Sequence, residues 1–129
     1  MNVLISLVHI YYVIEKLGIG IDICDINRFK KIPYSTNKKF YKKIFTLSEI
    51  KYCIKFKNPY PRFAGKFAVK EAVIKSTNLK LNFLDINTSH SNSKPTITIK
   101  PNKNKFLFKI SISHEKDFAI GLVISEKIN

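Results

Sequence analysis

Apolar and polar residues follow two periods along this chain, one of two residues and one of about 3.6 residues. Residues 18–24 alternate, with isoleucines on one face and Asp22 on the other, which predicts a strand. Residues 62–76 have the helical period, and Glu71 lies there between a phenylalanine stripe and an alanine stripe. Both carboxylates are therefore expected in apolar surroundings, where a charge needs a compensating partner.

Shorter helices are predicted between these two segments. Residues 25–31 can form a helical turn that ends before Pro33. Thr46 and Glu49 have the spacing of a capping box, in which each side chain accepts a hydrogen bond from a backbone N–H group at the start of a helix. The long helix is expected to end at Asn78, because asparagine tolerates the left-handed conformation of a C-terminal cap.

The C-terminal half has mostly the period of two. An antiparallel meander is expected from strands at 84–89, 96–99, 106–112 and 118–125, with a polar hairpin connection at 113–117. Helices followed by such a meander predict an α+β fold, with an antiparallel sheet packed on a long central helix. The length of 129 residues fits one domain, expected at 18–129. Residues 1–17 are expected to be an N-terminal extension or an added strand.

The charge of the chain narrows the classes of partner. The formal net charge is +14, and it comes almost entirely from lysine, because Arg28 and Arg62 are the only arginines. Proteins that bind phosphates and bases usually use arginine for bidentate contacts, whereas scattered lysines give a diffuse positive field. An acidic protein, a phosphorylated small molecule and a nucleic acid are all compatible with such a field.

The cysteines and the N-terminal apolar run bear on location. Cys24 and Cys53 are too few for a disulfide framework and too far apart for a CxxC pair or a zinc knuckle, which favours a reduced, cytoplasmic protein. The apolar run contains His9 and is short for a membrane span. It also lacks the basic start and cleavage site of a signal peptide. No membrane partner is therefore expected.

Asp22 and Glu71 could form a metal site if the strand packs on the helix. Mg²⁺ prefers oxygen ligands, usually one or two carboxylates together with water and substrate phosphates. Lys75, one turn after Glu71, could pair with that glutamate or hold phosphate oxygens, and Lys66 and Lys70 add charge to the same helix. A surface ion pair of Glu71 with Lys75 is the simpler interpretation of this spacing. Asp22 could likewise cap the turn that follows it.

No other catalytic constellation is present in the sequence. His114 falls in the last hairpin, where a histidine is more often an exposed polar residue than a catalyst. The chain contains no GxGxxG, Walker A, HExxH or GxSxG sequence, and no serine lies beside a convincing base. Any nucleophile is therefore expected to come from the substrate.

Four sequence blocks together indicate a family. They are GIGIDICDINR at 18–28, FTLSEIKYC at 45–53, RFAGKFAVKEAVIKS at 62–76 and SISHEKDFAIGLVIS at 111–125. The motifs GIDI, FAxKEAxxK and SISH are weak singly but specific when they occur in this order. In these blocks the chain resembles the short bacterial holo-acyl-carrier-protein synthases, which are 4′-phosphopantetheinyl transferases. The resemblance covers roughly residues 18–126 and implies the transferase fold.

The resemblance implies roles for particular residues. It implies that Asp22 and Glu71 bind Mg²⁺ and that Lys75 contacts the phosphates of coenzyme A. Lys66 stands where the family often has an arginine that faces the nucleotide end of coenzyme A. Arg28 matches an arginine that docks the acyl carrier protein. The remaining matched positions are Lys94 and Pro95 in a turn near coenzyme A, Ser113 and His114 in a hairpin that contacts it, and Lys30 and Lys31 as helpers of Arg28.

The resemblance also implies a mechanism and an assembly. A serine hydroxyl of the acyl carrier protein would attack the β-phosphate of coenzyme A, and 3′,5′-ADP would leave. Mg²⁺ would bridge the two carboxylates and the pyrophosphate, while Lys75 offsets charge on the phosphoryl oxygens. Either Glu71 or a metal-bound water would deprotonate the serine. Family members of this length form homotrimers with the cofactor in a cleft between subunits.

The chain departs from the family pattern near the nucleotide. The loop after the long helix is shortened to STNLKLN, Ser93 replaces a turn glycine, and Ser89 and His90 stand where Asn-Asp is usual. A transferase with weaker coenzyme A contacts, or one that has lost activity, is therefore one alternative. A lysine-rich nucleic-acid-binding domain is another, with stacking surfaces from Tyr11, Tyr12, Tyr41, Tyr52 and Tyr60.

Overall fold

The computed structural model describes residues 3–100 and 105–128. Its helices are α1 (Val3–Glu15), α2 (Asn27–Lys30), α3 (Lys38–Lys42), α4 (Leu47–Cys53) and α5 (Tyr60–Thr77), with short 3₁₀ turns at Tyr34–Thr36 and Phe83–Asp85. Its strands are β1 (Leu17–Asp25), β2 (Ile86–Ser91), β3 (Lys94–Ile99), β4 (Phe106–Glu115) and β5 (Phe118–Lys127). The predicted α+β fold with an antiparallel sheet and a long helix is confirmed.

The strands form two antiparallel sheets. A three-stranded sheet has the order β1-β5-β4, and β2 and β3 form a separate hairpin. In the first sheet Asp22 of β1 lies opposite Gly121 of β5. The turn between β4 and β5 joins Glu115 to Phe118, and Lys116 adopts a positive φ of 52° there. The predicted tight polar turn is therefore present, but it is shorter than the predicted connection at 113–117, because residues 113–115 belong to β4 and pair with β5.

Helix α5 lies against both sheets and organises the core. One buried aromatic cluster packs at its N-terminal half, where Phe63 contacts Tyr41 and Phe45 with ring centroids 4.7 and 4.9 Å apart. A second cluster, which includes Val73 and Val123, packs between the helix and the strands. The helix ends at Asn78, whose φ of 56° and ψ of 26° are the left-handed cap that the sequence predicts.

The close approach of β1 to α5 depends on a glycine. Gly20 is buried on the strand face that meets the helix, and a Cβ atom built on it would overlap the carbonyl oxygen of Ala72. The isoleucines of the opposite strand face are exposed, with Ile19 at 70% and Ile21 and Ile23 at 59%. Because side chains alternate across a strand, Asp22 shares the face of Gly20 and points toward α5.

The N-terminal segment is a helix, so the alternative of an added strand at residues 1–17 is wrong. The described part of this segment, Val3–Glu15, forms α1. The run contains neither glycine nor proline, and its apolar and polar residues do not alternate, so the sequence favours a helix over a strand. The domain boundary at residue 18 stays a prediction. None of the helices in residues 3–100 and 105–128 has the length and apolar content that a membrane crossing requires.

Candidate active site

Asp22 and Lys75 meet where β1 crosses α5. The ammonium of Lys75 lies 3.0 Å from Asp22 Oδ1 and donates a second hydrogen bond of 3.0 Å to the carbonyl of Ile21. The Lys75 side chain is 52% exposed and that of Asp22 is 20% exposed, so the ion pair is open to an incoming anion. Lys75 therefore pairs with Asp22 rather than with Glu71, the partner that helical spacing alone suggests.

Glu71 lies one turn before Lys75 on α5 and is half-buried. Among the described residues, no hydrogen bond or ion pair engages its carboxylate. Burial is the main reason that the pKa of the Cys24 thiol rises to about 11, and carboxylates that include Asp22 and Glu71 add to this rise. Both carboxylates therefore raise the pKa of the same buried thiol, which lies on the face of β1 that meets α5.

The donor set at this crossing suits one kind of metal. Two carboxylates, one of them with no protein partner among the described residues, match what Mg²⁺ takes from a protein when phosphates and water complete its shell. Within the described ranges, no three His, Cys, Asp or Glu side chains are grouped as a metal site would require. Asp22 and Glu71 are therefore the residues of this site that could hold a divalent cation.

A cavity of about 370 Å³ lies near the N-terminal half of α5. Three of the residues that the resemblance matches to coenzyme A contacts line it, namely Lys66, Pro95 and His114. Lys94 and Ser113 are exposed at the neighbouring positions of β3 and β4 but do not line it. The other residues around it are Tyr52, Arg62, Gly65, His90, Ile110, Ser111 and Ile112. The sequence assigns none of these to coenzyme A, and it indicates ligand contact only for Tyr52, as a stacking surface for nucleic acid.

An aromatic wall borders this cavity. Tyr52 stacks on His90, with ring centroids 4.6 Å apart and an angle of 21° between the rings. Phe56 packs its ring against Tyr52 at 5.4 Å in an edge geometry. Burial, with a smaller effect of the Lys66 cation, lowers the pKa of His90. His90 is therefore held mainly as a neutral stacking group at neutral pH.

Lys66 reaches this wall from inside the protein. Its ammonium donates to Thr88 Oγ1 at 2.8 Å and to the Thr88 carbonyl at 3.2 Å, and it lies 4.8 Å from the centre of the Tyr52 ring. The residue is 3% exposed, and burial lowers its pKa. Most of its hydrogen-bonding capacity is therefore used within the protein.

Lys70 is also turned inward, which differs from the expectation that it adds charge to the site. It is fully buried, and its ammonium is surrounded by the Glu49 carboxylate and three backbone carbonyls. Glu49 is the N3 residue of the capping box on α4, which the sequence predicts and the structure confirms. The same carboxylate that caps α4 therefore also neutralises a lysine of α5.

A basic surface is present along α2 and its C-terminal cap. Arg28 is exposed, and its guanidinium lies 5.3 Å from the centre of the Phe67 ring. Lys30 and Lys31 are exposed beside it. The three residues proposed from the resemblance for partner binding therefore lie together on an accessible part of the chain.

The two candidate regions are separate within one chain. Asp22 and Lys75 border a shallow cavity of about 340 Å³ together with apolar residues of β1 and β5. That cavity and the larger one beside Lys66 have no residue in common. One chain therefore presents a carboxylate and lysine region and a distinct basic and aromatic region.

The sequence and fold of the chain match known proteins. Residues 18–123 match the family model for the 4′-phosphopantetheinyl transferase superfamily. The chain is 42% identical over 111 residues to the holo-[acyl-carrier-protein] synthase of Thermodesulfovibrio yellowstonii, an alignment that covers 83% of this chain and 96% of the relative. It is 39% identical over 122 residues to the holo-[acyl-carrier-protein] synthase of Halothermothrix orenii, with coverage of 85% and 97%.

Two solved structures are similar to this one. The Helicobacter pylori holo-[acyl-carrier-protein] synthase in complex with coenzyme A superposes with a TM-score of 0.74 and 37% identity, covering 84% of this chain and 99% of that one. The Bacillus anthracis synthase in complex with CoA (3′,5′-ADP) gives a TM-score of 0.74 and 32% identity, with coverage of 86% and 96%. The chain therefore belongs to the 4′-phosphopantetheinyl transferase superfamily, among the holo-[acyl-carrier-protein] synthases.

Proposed function

We propose that this chain transfers 4′-phosphopantetheine from coenzyme A to a serine of acyl carrier protein and releases 3′,5′-ADP, with Asp22, Glu71 and Lys75 as its reaction centre. As a member of this family, the chain is a phosphopantetheinyl transferase. The observation that carries the residue assignment is the crossing of β1 and α5, which brings Asp22 to Lys75. Glu71 lies one helical turn away on the same side of α5.

Asp22 and Glu71 are the residues that would hold Mg²⁺. When bound, the ion polarises phosphoryl oxygens and offsets their charge. Lys75, the more exposed partner of Asp22, supplies a protein cation for the same phosphates. In the reaction a bond forms between the serine oxygen and the β-phosphorus, and the bond from that phosphorus to the 3′,5′-ADP oxygen breaks. Glu71 is a candidate to take the serine proton, since the described part of the chain gives its carboxylate no partner.

The cavity beside Lys66 is the proposed place of the nucleotide end of coenzyme A. It has positively charged and aromatic lining, and Pro95 and His114 border it. Lys94 and Ser113 are exposed beside it, where they can contact parts of coenzyme A that extend beyond the cavity. The related synthases of Helicobacter pylori and Bacillus anthracis were solved with coenzyme A or its 3′,5′-ADP portion, which supports this ligand.

A homotrimer would join the two separate regions. The exposed isoleucines of β1 form an apolar sheet face that a single chain leaves in water, which is typical of an interaction surface. The reaction centre near Asp22 borders this face, because Ile21 and Ile23 line the same shallow cavity. We therefore propose that the carboxylate region of one subunit and the cavity beside Lys66 of its neighbour form one active site.

The acyl carrier protein is proposed to dock at Arg28, Lys30 and Lys31. These exposed cations fit an acidic partner, and the formal net charge of +14 favours its approach over long range. A reduced, cytoplasmic location is proposed from the two free cysteines, both of which are buried.

The nucleic-acid alternative finds no support. Family membership accounts for the sequence blocks that carry the resemblance as parts of a transferase. The tyrosines proposed for base stacking do not form one surface, because Tyr41 is fully buried and Tyr52 is stacked on His90. The side chain of Tyr12 lies outside the described residues. The lysine-rich charge is therefore better explained by an acidic protein partner and a phosphorylated substrate.

The direct test combines the chain with apo acyl carrier protein, coenzyme A and Mg²⁺ and follows the intact mass of the carrier. We expect the wild-type chain to add one phosphopantetheine group and Glu71→Gln to add none while its far-ultraviolet circular dichroism is unchanged. Glu126→Gln, which removes one carboxylate outside both cavities, is the matched control and should retain activity. Equal rates for Glu71→Gln and the wild type would refute the reaction centre. No transfer by the wild type would refute the function.

A further inference from the structure

Arg62 is a charged residue of the larger cavity for which the reaction described so far has no use. It lies in the first turn of α5, lines the cavity and is half-buried. Its guanidinium carbon lies 3.5 Å from the centre of the Phe56 ring, which is a close stacked contact. Stacking restricts the orientation of the guanidinium plane while its N–H groups, at the edge of that plane, stay available for hydrogen bonds.

The N–H groups of the Arg62 side chain have no acceptor in the part of the chain that the structure describes. Lys66 differs, because Thr88 accepts two hydrogen bonds from its ammonium and the residue is 3% exposed. Lys66 is thus committed to the protein, whereas Arg62 keeps its donors. Arg62 is therefore the better placed of the two cations to receive an anion in this cavity.

The lining of the cavity also favours an anion. The residues around it include Arg62, Lys66, His90 and His114, and no aspartate or glutamate is among them. The Tyr52 and His90 rings give a flat apolar surface next to the Arg62 and Lys66 cations. A ligand that combines a planar base with a phosphate would satisfy both parts of this lining.

Coenzyme A carries three phosphoryl groups, two in its pyrophosphate and one on the ribose. The pyrophosphate is assigned to the region of Asp22 and Lys75 under the proposed function, and that region has no residue in common with the cavity of Arg62. The phosphate that is left is the one on the 3′ position of the ribose. We propose that Arg62 binds this 3′-phosphate and so makes the chain discriminate coenzyme A from 3′-dephospho-coenzyme A. The inference rests on the proposed function for the identity of the ligand.

The role of Lys66 differs in this arrangement. It is a positioning residue, because its bonds to Thr88 and its contact with Tyr52 connect α5 to the wall of the cavity. Its loss should weaken binding of ligands with and without the 3′-phosphate alike. Loss of Arg62 should weaken the binding only of ligands that carry the 3′-phosphate.

Calorimetric titration of the full chain with 3′,5′-ADP and with 5′-AMP tests this inference without catalysis. Arg62→Gln should weaken 3′,5′-ADP binding by about tenfold and leave 5′-AMP binding within about twofold, since a charge-assisted hydrogen bond is lost only with the former. Lys57→Gln, which removes an exposed cation of the same segment outside the cavity, is the matched control and should change neither. Lys66→Met should weaken both ligands by similar factors.

Each outcome of this titration bears on Arg62. Equal weakening of both ligands by Arg62→Gln, or no weakening of 3′,5′-ADP, overturns the inference. Failure of the wild type to prefer 3′,5′-ADP over 5′-AMP overturns it as well. The transfer assay separates this result from the proposed function: a wild type that modifies carrier protein equally fast with coenzyme A and 3′-dephospho-coenzyme A retains the function and loses the role of Arg62. A wild type that binds 3′,5′-ADP through Arg62 but transfers nothing supports the role of Arg62 and refutes the proposed function.

Discussion

The carboxylate of Glu49 lies 2.7 Å from the ammonium of Lys70, and both side chains are fully buried. The other carboxylate oxygen of Glu49 accepts hydrogen bonds from the backbone N–H and the hydroxyl of Thr88. The pair therefore joins α4, α5 and β2 at one point. The backbone carbonyls that complete the shell of Lys70 are those of Ile44, Phe83 and Ile86.

Removal of the Lys70 ammonium should be strongly destabilising. Lys70→Met leaves the Glu49 carboxylate buried without its cation and leaves three carbonyls without a donor. We expect the free energy of unfolding, measured with urea, to fall by about 3–5 kcal/mol. Lys51→Met, at an exposed position on α4, should change it by less than about 0.5 kcal/mol.

A double variant separates the charge from the packing. Glu49→Gln keeps an acceptor for the cap of α4 but removes the buried negative charge. Lys70→Met combined with Glu49→Gln should therefore be less destabilised than Lys70→Met alone, and the coupling in a double-mutant cycle should exceed about 1 kcal/mol. Additive effects would show that the ion pair contributes no specific interaction.

The short distance between β1 and α5 gives a second prediction. Gly20→Ala places a Cβ atom on the carbonyl oxygen of Ala72, so the strand must move away from the helix. We expect a loss of at least about 2 kcal/mol in the free energy of unfolding and a loss of transfer activity, because Asp22 moves with the strand. Thermal unfolding and the carrier mass assay measure the two effects.

Gly65→Ala provides the comparison for Gly20→Ala. Its new Cβ atom would lie 3.2 Å from His114 Nε2 and from Ile112 Cγ2, which are side-chain atoms that can shift. Alanine also favours a helix over glycine by up to about 1 kcal/mol. Stability should therefore change by less than about 1 kcal/mol. Equal losses in the two variants would contradict the close approach of β1 and α5.

Sequence patterns predicted those parts of the secondary structure that depend on interactions within a few residues. The capping box of Thr46 and Glu49 and the left-handed end of α5 at Asn78 follow from hydrogen bonding and backbone preference within a few residues. The strict alternation of β1 placed Asp22 on the face opposite the isoleucines. These features need no knowledge of the rest of the fold.

The positions of the lysines on α5 could not be predicted in the same way. The helical period places Lys66 and Lys70 on particular faces, but the acceptors that surround their ammonium groups come from segments before and after the helix in sequence. Similarly, the stack of Tyr52 on His90 joins residues of α4 and β2. Periodicity carries no information about such long-range partners, so it treated both lysines as part of the charged site.

Reversal of the charge at Arg28 should affect one substrate only. Arg28→Glu introduces repulsion toward an acidic carrier protein at an exposed position, outside both cavities. We expect the KM for acyl carrier protein to rise by about tenfold and the KM for coenzyme A to stay within about twofold. Lys80→Glu, an equal charge change at another exposed position, is the control. Equal effects of both variants would indicate that only the total charge matters.

The apolar face of β1 gives the last prediction, on assembly. Ile19 is 70% exposed in one chain and does not line the shallow cavity beside Asp22, so Ile19→Lys alters the sheet face without touching the reaction centre. If this face joins subunits, burying an ammonium there is costly, and the variant should sediment as a monomer while the wild type sediments as a trimer. Because each proposed active site needs residues of two subunits, transfer should fall together with the trimer fraction and recover partly at high protein concentration.

Leu47→Lys, at a position 67% exposed on α4, is the control for this prediction and should leave both the assembly and the transfer activity unchanged. A wild-type monomer with full activity, or an Ile19→Lys trimer, would show that the sheet face is not the subunit interface.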